Sequence, residues 1–175
     1  MNKILRDRKG LSLIELLVAL AISSVLLAAI STATVQLITF SKGNANRMTA
    51  IGQVQNVGFW VKRDAVMAQQ VMLDDPQTPV SEFIALQWTD WDGGSHRVAY
   101  ILEDAPEGLK ELRRDYFTFD GGDWVLQATT FLARSIDPAE ATSSWDGKVL
   151  SVHIVAQVGQ ESAARTYEVV PRPLS

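Results

Sequence analysis

A run of 26 residues, 16–41, contains no charged side chain. As an α-helix rising 1.5 Å per residue it would be about 39 Å long, which exceeds the hydrocarbon core of a bilayer at about 30 Å. The run is rich in Ala and Leu and has no proline, which favours helix. It therefore predicts one helix that crosses a membrane with some tilt.

The charge on the two sides of this run is unequal. Residues 1–10 carry a net charge of +3, and residues 11–175 carry −7. Because basic residues mark the cytoplasmic side of membrane helices, we expect the N-terminus in the cytoplasm and residues 42–175 outside it. The acidic body disfavours a nucleic-acid partner, since backbone binding needs a basic face. The chain has no cysteine, which excludes a disulfide framework and thiolate chemistry.

Apolar residues continue at helical spacing beyond the membrane run, which predicts that the helix extends over 42–73. The stripe comprises Ile51, Val54, Gly58, Val61, Ala65, Ala68 and Met72. Such a stripe can pack on a sheet of the same domain or form a seam with a partner helix, and both interpretations stay open. Asp74-Asp75-Pro76 is a helix stop signal.

From residue 80 the apolar period becomes two, which predicts strands. The segments are 82–88, 96–103, 110–119, 124–131, 148–158 and 165–170. Asp-Gly turns near residues 93, 121 and 147 indicate hairpins, and residues 133–147 are predicted to be a long connection. The fold class is therefore α+β: a long N-terminal helix packed on a mostly antiparallel sheet over 80–170.

Glu15 is the residue that a plain membrane helix does not explain. A lone carboxylate in hydrocarbon costs about 2.5 kcal/mol or more, although near the cytoplasmic edge it can reach headgroup water. A cleaved secretory signal peptide fits poorly, because the run is long and continues into an amphipathic helix. An uncleaved signal anchor fits the length but gives Glu15 no role.

Residues 8–22, RKGLSLIELLVALAI, resemble the N-terminus of type IV prepilins and type II secretion pseudopilins. That motif is a short basic leader ending in Gly, followed by an apolar helix with Glu at its fifth position. Gly10, Leu11 and Glu15 match it. The resemblance implies that a membrane prepilin peptidase, which is also a methyltransferase, processes the chain. It would cleave the bond between Gly10 and Leu11 and methylate the new amine of Leu11. Two departures are Leu11, where many members have Phe, and the lack of a proline before Pro76, so no helix kink is expected.

This resemblance implies a role for Glu15 in assembly. Cleavage would create a positively charged amine at Leu11, and a charge buried among apolar helices needs a partner. Glu15 of one subunit can pair with the amine of its neighbour, and such heterologous contacts build an open helical filament. The implied organisation is a cleaved leader over 1–10, a transmembrane and assembly helix over 11–41, and an exported domain over 42–175.

Residues 47–71 are more specifically similar to the J-type minor pseudopilins, which have an Arg-Asp pair late in the helix and a Pro-Arg near the C-terminus. Arg63-Asp64 and Pro171-Arg172 occupy those places. The resemblance implies partners among other minor pilins or pseudopilins and an inner-membrane assembly platform. Minor pilins of pilus and competence systems are very similar, and Arg63-Asp64 can equally be a solvated or intramolecular ion pair.

No catalytic, cofactor or metal site is predicted, and the chain is not expected to be an enzyme. His96 and His153 lack an acid or nucleophile at motif spacing and are predicted at the surface. Asp90 and Asp92 favour a hairpin turn over a calcium site, because calcium requires six to eight oxygen ligands. Tryptophans near the turns predict either core packing or an exposed partner patch: Trp88, Trp91, Trp124 and Trp145.

The sequence thus predicts a precursor of a minor pilin or pseudopilin, a structural subunit of a type II secretion pseudopilus or a type IV pilus-like filament. Its predicted location is the inner membrane, crossed once, with the C-terminal domain periplasmic or extracellular. The alternative is a single-pass, membrane-anchored extracytoplasmic binding module that does not polymerise. Methylated Leu11 at the N-terminus would favour the first, and an intact Met1 the second.

Overall fold

The computed structural model describes residues 12–73 and 82–172. One long helix is followed by eight strands: α1 (Leu13–Met67), β1 (Gln70–Met72), β2 (Glu82–Thr89), β3 (Ser95–Asp104), β4 (Lys110–Asp120), β5 (Asp123–Ile136), β6 (Thr142–Trp145), β7 (Leu150–Val158) and β8 (Glu161–Val169). A short 3₁₀ helix, Pro106–Gly108, joins β3 to β4. The chain divides into two compact units, of which the first ends at Lys42 and the second begins at Gly43.

The part of α1 in the first unit is apolar and exposed on all sides. Its most apolar 18-residue window has a mean hydropathy of 2.6 and no buried residue, so by length and composition α1 can cross a membrane. The hydroxyls of Thr32, Thr34 and Thr39 donate to carbonyls one turn earlier at 3.0, 2.9 and 3.0 Å. These bonds keep the polar groups satisfied inside the helix, as a lipid environment requires.

All eight strands of the second unit belong to one antiparallel sheet. Its order is β1-β2-β3-β4-β5-β7-β6. Strand β8 pairs along the edge of β7 that is not used by β5 and β6. The strands β2 to β5 form a meander, whereas β5 meets β7 only at Ile136 and Ala156. The sheet therefore consists of a meander and a second group, β6 to β8, joined through the end of β5.

The part of α1 in the second unit buries one stripe against the sheet. Buried residues recur at helical spacing: Ala50, Val54, Val57, Gly58, Val61, Asp64 and Ala65. They pack on fully buried strand residues that include Ile84, Tyr100, Leu112 and Ile154. The predicted α+β class is confirmed, and the stripe packs on the sheet of its own domain.

Polar side chains on α1 also bond directly to the backbone of β5. The side-chain oxygen of Gln53 accepts hydrogen bonds from the N–H groups of Arg134 and Ser135 at 2.9 and 3.1 Å. The amide of Asn56 donates to the carbonyl of Leu132 at 2.8 Å. Since hydrogen bonds are directional, these three contacts define how the helix lies along the strand.

The helix ends at Met67, so the prediction of helix to residue 73 is wrong at its C-terminal end. Residues 70–72 instead form β1 on the edge of β2. The N–H of Gln69 donates to the carbonyl of Gln87 at 2.9 Å, and the Gln69 side chain bonds both backbone groups of Thr89. The open edge of β2 offers these partners, and tertiary context overrides helical spacing. The predicted stop signal, residues 74–76, lies outside the described residues.

The predicted connection over 133–147 is also wrong, because it contains the end of β5 and all of β6. The sequence of β6 is Thr-Ser-Ser-Trp, which has no apolar alternation to mark it as a strand. It forms because β7 offers an edge beside it, where Thr142 pairs with His153. The hydroxyl of Ser143 then donates to the carbonyl of Phe83 at 2.9 Å.

Candidate assembly site and helix anchor

The first turn of α1 is held by a reciprocal pair of hydrogen bonds between Ser12 and Glu15. The backbone N–H of Ser12 donates to Glu15 Oε2 at 2.8 Å, and the N–H of Glu15 donates to Ser12 Oγ at 3.3 Å. This arrangement is a capping box, which satisfies N–H groups that have no partner inside the helix. The carboxylate of Glu15 therefore points back along the chain towards the start of the helix.

Apolar side chains surround Glu15 on the same helix face. Glu15 lines a shallow depression of about 310 Å³ together with Ile14, Val18, Ala19 and Ile22. Glu15 and Ala19 are four residues apart, as are Ile14, Val18 and Ile22, so the two rows lie side by side on the helix. These side chains form an uncovered apolar surface along the helix, which we call the apolar ridge, with the Glu15 carboxylate at its N-terminal end.

Of the predicted site residues, Gly10 and Leu11 lie outside the described residues, and Glu15 lies within them. The hydrogen bonds of Glu15 to Ser12 were missed from the sequence. The signal was present, because Ser followed three residues later by Glu before an apolar run is a capping-box pattern. A local role in starting the helix thus stands beside the predicted role in assembly.

A second polar group, which we call the helix anchor, lies between α1 and the sheet and consists of Asp64, Tyr100 and Arg114. The Asp64 carboxylate is 2 % exposed and accepts hydrogen bonds from Arg114 Nε at 2.7 Å and Nη2 at 3.0 Å. It also accepts from the Tyr100 hydroxyl at 2.6 Å. A buried charge is tolerated only when it is paired and hydrogen-bonded, and Asp64 meets both conditions.

The predicted pairing of Arg63 with Asp64 does not form. Consecutive helix residues point in different directions, so Asp64 faces the sheet while Arg63 remains exposed. The guanidinium of Arg63 lies over the Trp60 ring at 4.9 Å, and that of Arg114 lies over the same ring at 4.6 Å. The ion pair of Asp64 is intramolecular, as one interpretation held, but its partner is Arg114 on β4.

Burial and charge shift the pKa values in the helix anchor. Burial raises the pKa of Tyr100 well above its usual value, and the neighbouring Asp64 carboxylate raises it further. For Arg114, burial works to lower the pKa, but the hydrogen bonds and charge of Asp64 outweigh it and raise the pKa. The network is therefore held in one charge state, with neutral Tyr100 and cationic Arg114, throughout the neutral range.

This shift predicts that stability falls at alkaline pH. The Tyr100 pKa is raised in the folded state, so its contribution is present below the unfolded value of about 10. It is lost as pH rises from that value towards the folded pKa. We expect Tyr100→Phe to show a shallower fall of the urea midpoint between about pH 9 and 11. An unchanged pH dependence in this variant would contradict the prediction.

The structure corrects the expectation for His96, whose side chain is only 17 % exposed. Its Nε2 lies 2.9 Å from the carboxylate of Asp90, and its Nδ1 lies 2.7 Å from the hydroxyl of Tyr116. The ring also stacks on Trp88 at 5.4 Å. The β2–β3 hairpin brings Asp90 and His96 together across the turn, so the cluster stabilises the turn end of the hairpin.

Asp92, the other acidic residue at this turn, stabilises the turn itself. Asp92 Oδ1 accepts a hydrogen bond from the N–H of Gly94 at 3.1 Å. Within residues 12–73 and 82–172, no group of three or more acidic or histidine side chains is placed to hold a metal ion. Of the four tryptophans near the turns, Trp88 is 6 % exposed, Trp91 is 98 % exposed, and Trp124 and Trp145 are half-buried.

Comparison with known protein families finds a match at the N-terminal end of the chain. A family model described as the prokaryotic N-terminal methylation motif matches residues 5–31. No curated protein matches this chain, and no solved structure matches it.

The fold and the motif together define the class: a structural protein with a pilin-type N-terminus, and not an enzyme. The motif supports a precursor of the type IV pilin-like family, which includes both pilins and pseudopilins. It implies processing by a prepilin peptidase and assembly with other pilins. The apolar N-terminal helix agrees with a membrane-anchored pilin.

Proposed function

We propose that this chain is the precursor of a minor subunit of a type II secretion pseudopilus or a type IV pilus-like filament. The observation that carries the proposal is the methylation motif at residues 5–31. It leads into a helix whose apolar side chains are uncovered, and Glu15 is the sole ionisable residue over 12–41. Such a helix needs lipid before assembly and neighbouring subunits after it.

In the proposed maturation, residues 1–10 are the cytoplasmic leader and the prepilin peptidase cleaves between Gly10 and Leu11. The same enzyme methylates the new amine of Leu11. Residues 11–41 cross the inner membrane once, and residues 42–175 form the exported domain. The excess of basic residues before the apolar run supports this orientation.

The proposed role of Glu15 changes between the two states. In the isolated chain its carboxylate caps the first turn through the N–H of Ser12. In a filament, apolar ridges of adjacent helices would cover one another and bury the amine of Leu11. A buried cation requires a partner, and Glu15 of the adjacent subunit supplies one. The apolar ridge provides adhesion, and the charge pair sets the axial position of one subunit against the next.

A minor position, near the filament tip, is the finer part of the proposal. Its support is the similarity of Arg63-Asp64 and Pro171-Arg172 to J-type minor pseudopilins. The partners would be other minor pilins or pseudopilins and the inner-membrane assembly platform. Within the second unit, the helix anchor fixes the C-terminal part of α1 to the sheet.

Replacing Glu15 by valine tests the proposal. We expect Glu15→Val to insert in the membrane and to be cleaved, yet to enter filaments about tenfold less or worse, because the amine of the neighbour is left buried without a partner. Mass spectrometry of the membrane-extracted chain measures cleavage and methylation at Leu11. Sheared filament fractions measure incorporation.

Ser12→Ala is the matched control, since it removes the Ser12 hydroxyl that caps α1 and keeps the Glu15 carboxylate. We expect it to assemble like the unmodified chain. Equal loss in both variants would assign Glu15 to helix capping alone. A native chain that retains Met1 would exclude filament maturation and favour the non-polymerising membrane anchor.

A further inference from the structure

A cavity of about 320 Å³ lies in the second unit where α1 gives way to β1. Three segments that are distant in sequence build its walls. Gln69 follows α1, Trp145 ends β6, Lys148 lies in the β6–β7 turn, and residues 170–172 follow β8. The cavity therefore exists only because the sheet brings the end of β8 beside the β6–β7 turn.

One side of this cavity is cationic. Lys148 and Arg172 both line it, and no carboxylate from the described residues, 12–73 and 82–172, does so. Among residues 12–73 and 82–172, neither cation forms an ion pair. The nearest acid in sequence, Asp146, uses its Oδ1 to accept the N–H groups of Lys148 and Val149 at 2.8 and 2.7 Å. Both cations can therefore attract an anion that enters the cavity.

The other side of the cavity is apolar and fixed in place. Trp145 is half-buried, Pro171 is buried and Val170 is 60 % exposed. Gln69 cannot swing into the space, because its amide bonds both backbone groups of Thr89. Pro171 has a restricted φ, which limits the directions that the chain can give Arg172.

We propose that this cavity binds the C-terminal residue of a peptide, with the terminal carboxylate on Arg172 and Lys148 and an apolar side chain against Trp145 and Val170. A terminal residue carries its carboxylate and its side chain on the same carbon atom, so one small cavity can hold both. Its volume is at the lower end of the range for ligand sites, about 300–1,000 Å³, which suits one residue. An Asp or Glu side chain has no apolar group at that position.

Binding at this cavity requires neither cleavage at Gly10 nor filament assembly. The site lies wholly within the second unit, and its residues play no part in the proposed role of Glu15. A failure of one proposal therefore leaves the other standing.

Calorimetry on the full-length chain in detergent tests the site with N-acetylleucine as the probe. We expect saturable binding that weakens as NaCl is raised, because salt screens exposed charges. N-acetylleucinamide, which lacks the charge, should bind about tenfold more weakly, since hydrogen bonds to charged groups are stronger than those between neutral groups. Isovalerate, which keeps a carboxylate and a branched apolar group but lacks the amide and one methylene of N-acetylleucine, should also bind more weakly.

Charge-removing variants complete the test. Arg172→Gln and Lys148→Gln should each weaken binding of N-acetylleucine by about tenfold without lowering the unfolding temperature. Arg134→Gln, which removes an exposed cation from β5, should leave it unchanged. Equal affinity for the acid and its amide, unchanged binding in Arg172→Gln, or no binding of N-acetylleucine would each overturn the proposal. Equal affinity for isovalerate would overturn the peptide assignment.

Discussion

Asp64→Ala is expected to destabilise the second unit by about 3–5 kcal/mol. The substitution leaves the Arg114 guanidinium, whose side chain is 8 % exposed, buried without its carboxylate. It also removes the acceptor of the Tyr100 hydroxyl. The loss is large because a buried charge and a buried donor both lose their partners, whereas water cannot easily replace them. Tryptophan fluorescence during urea unfolding of the full chain in detergent measures the change.

Asp104→Ala is the matched control for this prediction. Asp104 also pairs with a cation, Lys110, but its side chain is 93 % exposed. Exposed ion pairs contribute little, so we expect the urea midpoint of this variant to stay close to that of the unmodified chain. Similar midpoints for Asp64→Ala and Asp104→Ala would show that the helix anchor does not hold α1 to the sheet.

The periodic parts of the fold could be predicted from the sequence. The charge-free run, the helical stripe around Val54 and Val61, and alternation in the strands each depend on many residues that repeat one pattern. Apolar burial produces such patterns directly. The class of the fold and the packing of α1 on its own sheet followed from them.

The elements that the sequence did not predict are those that depend on a neighbouring strand. β1 and β6 are three and four residues long, and each forms because a longer strand offers free backbone groups at its edge. Asp64 escaped for a similar reason. It stands in the buried stripe of α1, but its partner Arg114 is 50 residues away in sequence, so no local pattern marks the pair.

The candidate sites likewise include local motifs, which the sequence can reveal, and arrangements of distant residues, which it cannot. The motif around Gly10, Leu11 and Glu15 is local, and the family comparison at residues 5–31 found it as well. The capping box of Ser12 and Glu15 was readable but was missed. The cavity at Lys148 and Arg172 could not be predicted, because it joins residues from three segments that approach only in the folded sheet.

Gly58→Ala is expected to destabilise the domain by about 2–3 kcal/mol, although alanine is the better helix former. A Cβ at position 58 would lie 2.0 Å from Cζ and 2.5 Å from the hydroxyl of Tyr167. Tyr167 cannot yield easily, since it is 6 % exposed and its hydroxyl donates to the carbonyl of Val54 at 2.9 Å. The added methyl must therefore push β8 away from α1. Urea unfolding of the full chain gives the change in free energy.

Gly52→Ala separates this steric effect from helix propensity. Gly52 lies in the same helix, and a Cβ there would meet no atom within 4 Å. Alanine at this position should stabilise by about 0.5–1 kcal/mol, because it restricts the unfolded chain and favours helix. Opposite signs at two glycines six residues apart can come only from the contact with Tyr167. If Gly58→Ala also stabilised the chain, β8 would not pack on α1 as closely as these distances require.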